Sequence, residues 1–313
     1  MNKTYQDLYN SMITTKAIKY ILKYNPERKK YSYRPYSHQA VENALDDISN
    51  LIIDDTIFYA FTKDEILEME EDLHILEDLR NAAKYAFSER LPERIKPNSD
   101  GIVGEILLDI FIQAYEKDSD KLVARAKHTE MNSKKEITGY DALYFTKNND
   151  GINLWLGQAK AGSKQYCQGD IAKDLKTKYT KEYFSDTCYY IKDKGDCNEL
   201  KDLLKRINRL CFNAQKDGYT SDMKYDKFLE ILKEYNVALK IPCLLAYTKD
   251  IYCSKEKLGA LIKKEVSSIA KYFENKNFSI NLGIPYEILF YLMPIKDVSY
   301  IRQRISDFRK EVI

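Results

Sequence analysis

Ile137-Thr-Gly-Tyr-Asp141-Ala-Leu-Tyr-Phe145 and Leu154-Trp-Leu-Gly-Gln158-Ala-Lys160-Ala-Gly162 flank the turn Asn148-Asn149-Asp150-Gly151. Two runs rich in β-branched and aromatic residues around a polar Asp-Gly turn predict a β-hairpin, with strands over 137–147 and 152–161. Side chains two apart on a strand face the same way, so Gln158 and Lys160 share a face and Ala159 points to the other. Asp141 lies on the neighbouring strand. A carboxylate on one strand, with an amide and a lysine on the next, can hold a divalent cation beside a polarised water. That is chemistry suited to phosphodiester hydrolysis.

Downstream of the hairpin, Ser163 caps a predicted helix over 164–181 that carries Lys164, Lys173, Lys176, Lys178 and Lys181 against Asp170 and Asp174. Lys164, Lys173 and Lys176 are candidate phosphate contacts beside the site. Helical patterns at 199–213 and 223–235 precede a strand at 237–248, where Pro242 argues against a central, fully paired place. A helix at 255–274 and an apolar strand at 284–295 follow, a strand–helix–strand order that predicts a parallel pair. Asp297 caps a last helix whose Arg302, Arg304, Arg309 and Lys310 offer a second basic face.

Upstream lies a predicted strand at 121–129. Before it, Val103, Ile106, Leu107, Ile110, Phe111 and Ala114 form the buried stripe of a helix, with Glu105 at its edge. Glu105 is either a solvated edge residue or a carboxylate aimed at the site. Pro97-Asn-Ser-Asp-Gly101 suggests a boundary, which divides the chain into a mainly helical N-terminal unit, 1–95, and an α/β domain, 96–313. In the first unit, a helix near 4–24 stops at Pro26, and Ser37 caps another to about Ile53. Thr62-Lys-Asp-Glu65 opens one long helix, reaching Phe87, with a capping box.

Composition narrows the class. With 50 Lys+Arg against 48 Asp+Glu in 313 residues, no global field attracts nucleic acid, so any such binding needs a local patch. Six cysteines without a Cys-x-x-Cys pair and three scattered histidines argue against zinc or a disulfide framework and suit a reducing cytoplasm. No apolar run approaches the roughly 18 residues of a membrane span, and no signal-peptide apolar region stands near the start. Glu/Gln-x-Lys occurs four times, at Glu27, Gln158, Glu199 and Glu274, but only Gln158-Ala-Lys160 ends a hydrophobic strand after Gly-Tyr-Asp. Gly157 to Lys164 also imitates a phosphate-binding loop. That loop needs Gly-Lys-Ser/Thr, whereas here serine precedes lysine, and no later strand ends in an acidic pair.

Glu105 on a helix, Asp141 on a strand and Gln158-Ala-Lys160 on its partner resemble the PD-(D/E)XK nuclease superfamily, with its restriction-endonuclease-like mixed sheet flanked by helices. Gly104-Glu-Ile-Leu-Leu-Asp109, Thr138-Gly-Tyr-Asp-Ala-Leu143, Leu154 to Lys160 and Ile241-Pro-Cys-Leu-Leu-Ala-Tyr247 resemble more narrowly HamA, the nuclease-subunit family of Hachiman antiphage defence. The resemblance covers about residues 95 to 300. It implies a cytoplasmic DNase that uses Mg²⁺ or Mn²⁺ and pairs with a superfamily 2 helicase, HamB. It also implies that Glu105, Asp141, the Gln158 amide oxygen and the Ala159 carbonyl surround the metal, with Lys160 orienting water or stabilising the oxyanion. One position departs from the pattern: Gln158 replaces the usual Glu, and an amide oxygen ligates magnesium without adding charge, which lowers cation affinity. On this reading, alanine at Asp141 or Lys160 abolishes cleavage and leaves folding intact. Two other readings remain: a nuclease fold that binds DNA without turnover and regulates the helicase, and a structural Asp141–Lys160 ion pair in an ordinary α/β protein.

Overall fold

A computed structural model of the chain describes residues 4–91, 101–116, 121–125, 139–188 and 200–311. The N-terminal residues form α1 (Tyr5–Tyr9), a π-helical turn, α2 (Thr15–Tyr20), then β1 (Ile21–Lys23), β2 (Glu27–Arg28) and β3 (Ser32–His38). Helices α3 (Ala44–Ala60), α4 (Lys63–Leu73), α5 (Leu79–Glu89) and α6 (Ile102–Tyr115) follow. Strands β4 (Lys121–Arg125), β5 (Ala142–Lys147) and β6 (Ile152–Gly162) lead into α7 (Lys164–Thr177), α8 (Lys181–Cys188), α9 (Lys201–Lys216) and α10 (Ser221–Glu234). The chain ends with β7 (Val237–Thr248), α11 (Lys255–Glu274), β8 (Tyr286–Ile295) and α12 (Val298–Lys310). The strands make one mixed sheet in the order β1-β3-β8-β7-β6-β5-β4, with β2 paired to β3. It is the expected α/β architecture of a mixed sheet flanked by helices.

The hairpin forms at the expected turn. Asn148 Oδ1 accepts from the amides of Asp150 and Gly151, at 2.9 and 3.0 Å. Gly151 has φ +152°, and a Cβ there would lie 2.5 Å from the Asn236 carbonyl oxygen. Only glycine meets both demands. Alternation along β6 then divides the interior. Leu154 and Leu156 face a core built with Ile171 and Leu175 of α7, and with helices α9 to α11. Trp155, Ala159 and Ala161 face the other core, built with α3, α6 and α12.

Several local expectations yield to tertiary pairing. Ser37 lies in β3, which pairs parallel to β8 through Ser32↔Leu289 to Pro35↔Leu292, so it caps nothing, and α3 begins later, at Ala44. The predicted helix near 4–24 ends at Tyr20, because Ile21–Lys23 pairs with β3. The long helix after Thr62 keeps its capping box but breaks at His74, whose backbone is left-handed (φ 50°, ψ 40°). Asp78 then caps α5 by accepting from the amides of Arg80 and Asn81. Against expectation, β7 is central: it pairs parallel to β6 on one side and β8 on the other. Pro242 sits at a gap in the β6–β7 ladder, between Trp155↔Lys240 and Gln158↔Cys243, where no pairing with β6 asks for its missing amide hydrogen. Gly157 faces the proline there, and a Cβ on it would meet Pro242 Cγ at 3.0 Å. The suggested boundary at 95/96 falls outside the described residues.

Helix α6 lies on the sheet through Gly104, where a Cβ would stand 3.4 Å from Ala159 Cβ and 3.4 Å from the Ala161 amide nitrogen. That is ordinary van der Waals contact, so one methyl fits and a larger group does not. Gly104→Ala is expected to stay within about 1 kcal/mol of the parent or gain slightly from helix propensity. Gly104→Leu should lose about 1–3 kcal/mol. Denaturant midpoints of the two variants measure this, and parity between them would contradict the close helix–sheet approach.

Candidate functional site

The site grows from the end of the β5–β6 ladder. The last register pair is Ala142↔Gly157, and just beyond it the Asp141 amide donates to the Gly157 carbonyl at 2.9 Å. There the strands part, and the Asp141 carboxylate replaces the next backbone acceptor: Oδ2 accepts from the Ala159 amide at 2.7 Å. Gln158, fully buried, lies across from Asp141, and its Nε2 donates to the Gly139 carbonyl at 3.3 Å. Its Oε1 accepts from Lys178 Nζ at 2.7 Å. Lys160 points to the same face, where its Nζ lies 2.9 Å from Asp174 Oδ2. Lys178 approaches the same carboxylate oxygen at 3.5 Å.

Asp174 and Lys178 come from α7, and local sequence explains how they arrive. Gly162 has φ +147°, which turns the chain sharply out of β6, and Ser163 Oγ caps the helix by accepting from the Tyr166 amide at 3.2 Å. Ile171 and Leu175 bury against the sheet. Asp174 and Lys178 share that inward side, one turn apart. Burial pushes the Asp141 carboxyl upward, against the Lys160 ammonium, the Ala159 amide and the Lys178 ammonium, which favour its charged form. At Lys160 burial works against the charge, but Asp141 and Asp174 outweigh it and hold the ammonium well above the ordinary lysine range.

The structure therefore gathers Asp141, Gln158 and Lys160 on one face of the sheet. Glu105 comes from α6 on the other face, beside Gly104, at the level of Ala159 to Ala161. Its Oε2 accepts from the Tyr59 hydroxyl at 2.7 Å. Of the candidate phosphate contacts, Lys173 and Lys176 are exposed on the outer side of α7. Lys164 is engaged internally: its Nζ contacts Glu265 Oε2 at 2.7 Å and Ser268 Oγ at 3.0 Å. The second basic face is also largely tied down. Arg302 donates to the Ala161 carbonyl at 2.8 Å, Arg304 pairs with Asp46 at 3.1 Å, and Arg309 lies 4.4 Å from the Phe87 ring centroid. Asp174 and Lys178 are the members that sequence reading missed. Their four-residue spacing was visible, but the lysine-rich run around them reads as a solvated face.

Hard oxygen donors of this kind suit magnesium, which often takes only one or two protein carboxylates and completes its shell with water and substrate phosphate. Among the described residues no three His, Cys, Asp or Glu side chains form a ready cluster. A stand-in cation, the Lys178 ammonium, already sits on the Gln158 amide oxygen. The donors thus fit a cation shared with a phosphate, and they do not make a closed protein cage.

Sheet order and the parting hairpin define an α/β protein with a mixed sheet flanked by helices, which carries Asp141, Gln158 and Lys160 on one face. The family model for HamA matches residues 8–311, and the chain belongs to the HamA family. Membership implies a part in Hachiman antiphage defence. Neither the curated proteins nor the solved structures include a match to the chain. No described helix is long and apolar enough to cross a membrane.

Proposed function

We propose that the chain is a metal-dependent DNA nuclease with little sequence preference, acting in antiphage defence under the control of a partner helicase of superfamily 2, HamB. The observation that carries this reading is the placement of Asp141, Gln158 and Lys160 on one face where β5 and β6 part. Asp141 and the Gln158 amide oxygen, with the Ala159 carbonyl, would hold Mg²⁺ or Mn²⁺; Glu105, on the other face of the sheet with the Tyr59 hydroxyl on its carboxylate, stands outside this set. When bound, such a cation polarises a phosphate and acidifies a water. Lys160 keeps its proton and offers a fixed positive charge to the oxyanion that develops at phosphorus. Lys173 and Lys176 meet phosphates without reading bases, so binding weakens steeply with salt.

The test is direct. Linear and circular DNA are incubated with the purified chain, alone and with the helicase, in Mg²⁺, in Mn²⁺ or with a chelator. Chelator-sensitive degradation without a fixed cut pattern is the expected result. A second reading, a nuclease fold that binds DNA and regulates the helicase without turnover, is favoured by the amide at position 158 and the lysine on its oxygen. Binding without cleavage under every condition, with activity appearing in Gln158→Glu, would select it.

A further inference from the structure

Gln158 has a single oxygen to offer, and its orientation is set from both ends: Nε2 donates to the Gly139 carbonyl, and Oε1 accepts from Lys178 at 2.7 Å. The same lysine stands 3.5 Å from Asp174, whose carboxylate also holds Lys160. Lys178 is further anchored through its backbone, since the Tyr140 hydroxyl, one residue before Asp141, donates to the Lys178 carbonyl. An ammonium group hydrogen-bonded to an oxygen excludes a second cation from that position by bulk, and repels it from neighbouring positions by charge. A Glu at position 158 would bring two oxygens and a negative charge. Gln158 brings one oxygen, and Lys178 covers it.

We propose that Lys178 is an autoinhibitory residue whose ammonium competes with the divalent cation for Gln158 Oε1, so that the site is armed when the C-terminal turn of α7 withdraws it. This rests on the nuclease reading above and adds the means by which the same site is held silent. The device is local: Lys178 is the C-cap residue of α7, its amide bonded to the Asp174 carbonyl and its ammonium carried on a flexible four-carbon stem. A small movement there would release the Gln158 oxygen and leave Lys160 to Asp174 and Asp141. A partner that grips α7 or α8 would thereby control cation binding without touching the cation.

The experiment compares the wild-type chain with Lys178→Met, which keeps length and loses charge, and with Lys178→Gln, which keeps a neutral donor should the methionine variant fold poorly. Mn²⁺ affinity is measured by calorimetry, the Mg²⁺ midpoint of DNA cleavage by titration, and folding by thermal melting. Both variants are expected to bind Mn²⁺ at least about tenfold more tightly and to cleave at lower Mg²⁺, in a folded protein. A wild-type chain that cleaves DNA with Mg²⁺, while folded variants bind Mn²⁺ equally or more weakly, overturns the inhibitory role and leaves the nuclease reading standing. If neither wild type nor variants bind Mn²⁺ beyond an Asp141→Ala control, both readings fall together.

Discussion

Lys160→Arg is expected to lower metal-dependent DNA cleavage by about 10²–10³-fold while leaving the melting temperature within a few degrees of the parent. Alanine at this position is a poor probe, contrary to the expectation from sequence that it spares the fold. Lys160 lies 2.9 Å from a buried carboxylate, Asp174, and Asp141 also favours its charge. Removing the ammonium would strand these acids, a loss of about 3–5 kcal/mol for a buried pair. Lost cleavage in Lys160→Ala would then be ambiguous between chemistry and folding. Arginine keeps a permanent charge able to pair with Asp174, but its planar fork cannot reproduce a compact ammonium aimed at one oxygen. Wild-type cleavage by a folded Lys160→Arg protein would remove Lys160 from the mechanism. A wild-type chain inert towards DNA, with Lys160→Ala sharply destabilised, would leave the pair a purely structural role.

Acid should weaken the fold through His38, at the end of β3. The ring is buried, stacked on Tyr252 with centroids 3.5 Å apart, and held by two backbone groups. Nδ1 donates to the Gln39 carbonyl at 2.7 Å and Nε2 accepts from the Lys296 amide at 3.2 Å, which fixes the neutral tautomer. Burial, aided by Lys296 and opposed by the Gln39 carbonyl and Asp250, pushes its pKa down to about 4. In the unfolded chain the ring titrates near about 6.5. The stabilising contribution is therefore complete above that value. It is lost as pH falls from about 6.5 towards 4, by up to about 3 kcal/mol. Denaturant unfolding of wild type and His38→Gln across that range measures it. The variant should be less stable at neutral pH, with the difference shrinking as pH falls. A difference independent of pH would mean that His38 is already charged in the fold.

Reading the chain residue by residue reached the hairpin, because a turn of Asn148 to Gly151 and alternation along Leu154 to Lys160 are rules spanning a few residues. The same local logic placed the caps at Thr62, Ser163 and Asp297, each accepting from amides two or three residues on. It also put Gln158 and Lys160 on one face, since a strand allows no other outcome. Where a distant partner outbid a local preference, sequence reading failed. Ser37 resembles a helix cap until β3 meets β8, a pairing that brings Arg34 within 3.1 Å of the Tyr291 hydroxyl, 257 residues away. Pro242 resembles an edge residue until Gly157 makes room for its ring.

From its sequence alone, then, this protein had its hairpin, its caps and the three polar residues at the parting of two strands, because hydrogen-bond geometry and a period of two act locally. Tertiary packing alone decided that α7 would lay Asp174 and Lys178 against Lys160 and Gln158, and that Glu105 would come from the opposite face bonded to Tyr59. Those contacts depend on which side of a helix meets which side of a sheet. That choice follows from burying apolar area across the whole molecule, and no short window of residues contains it.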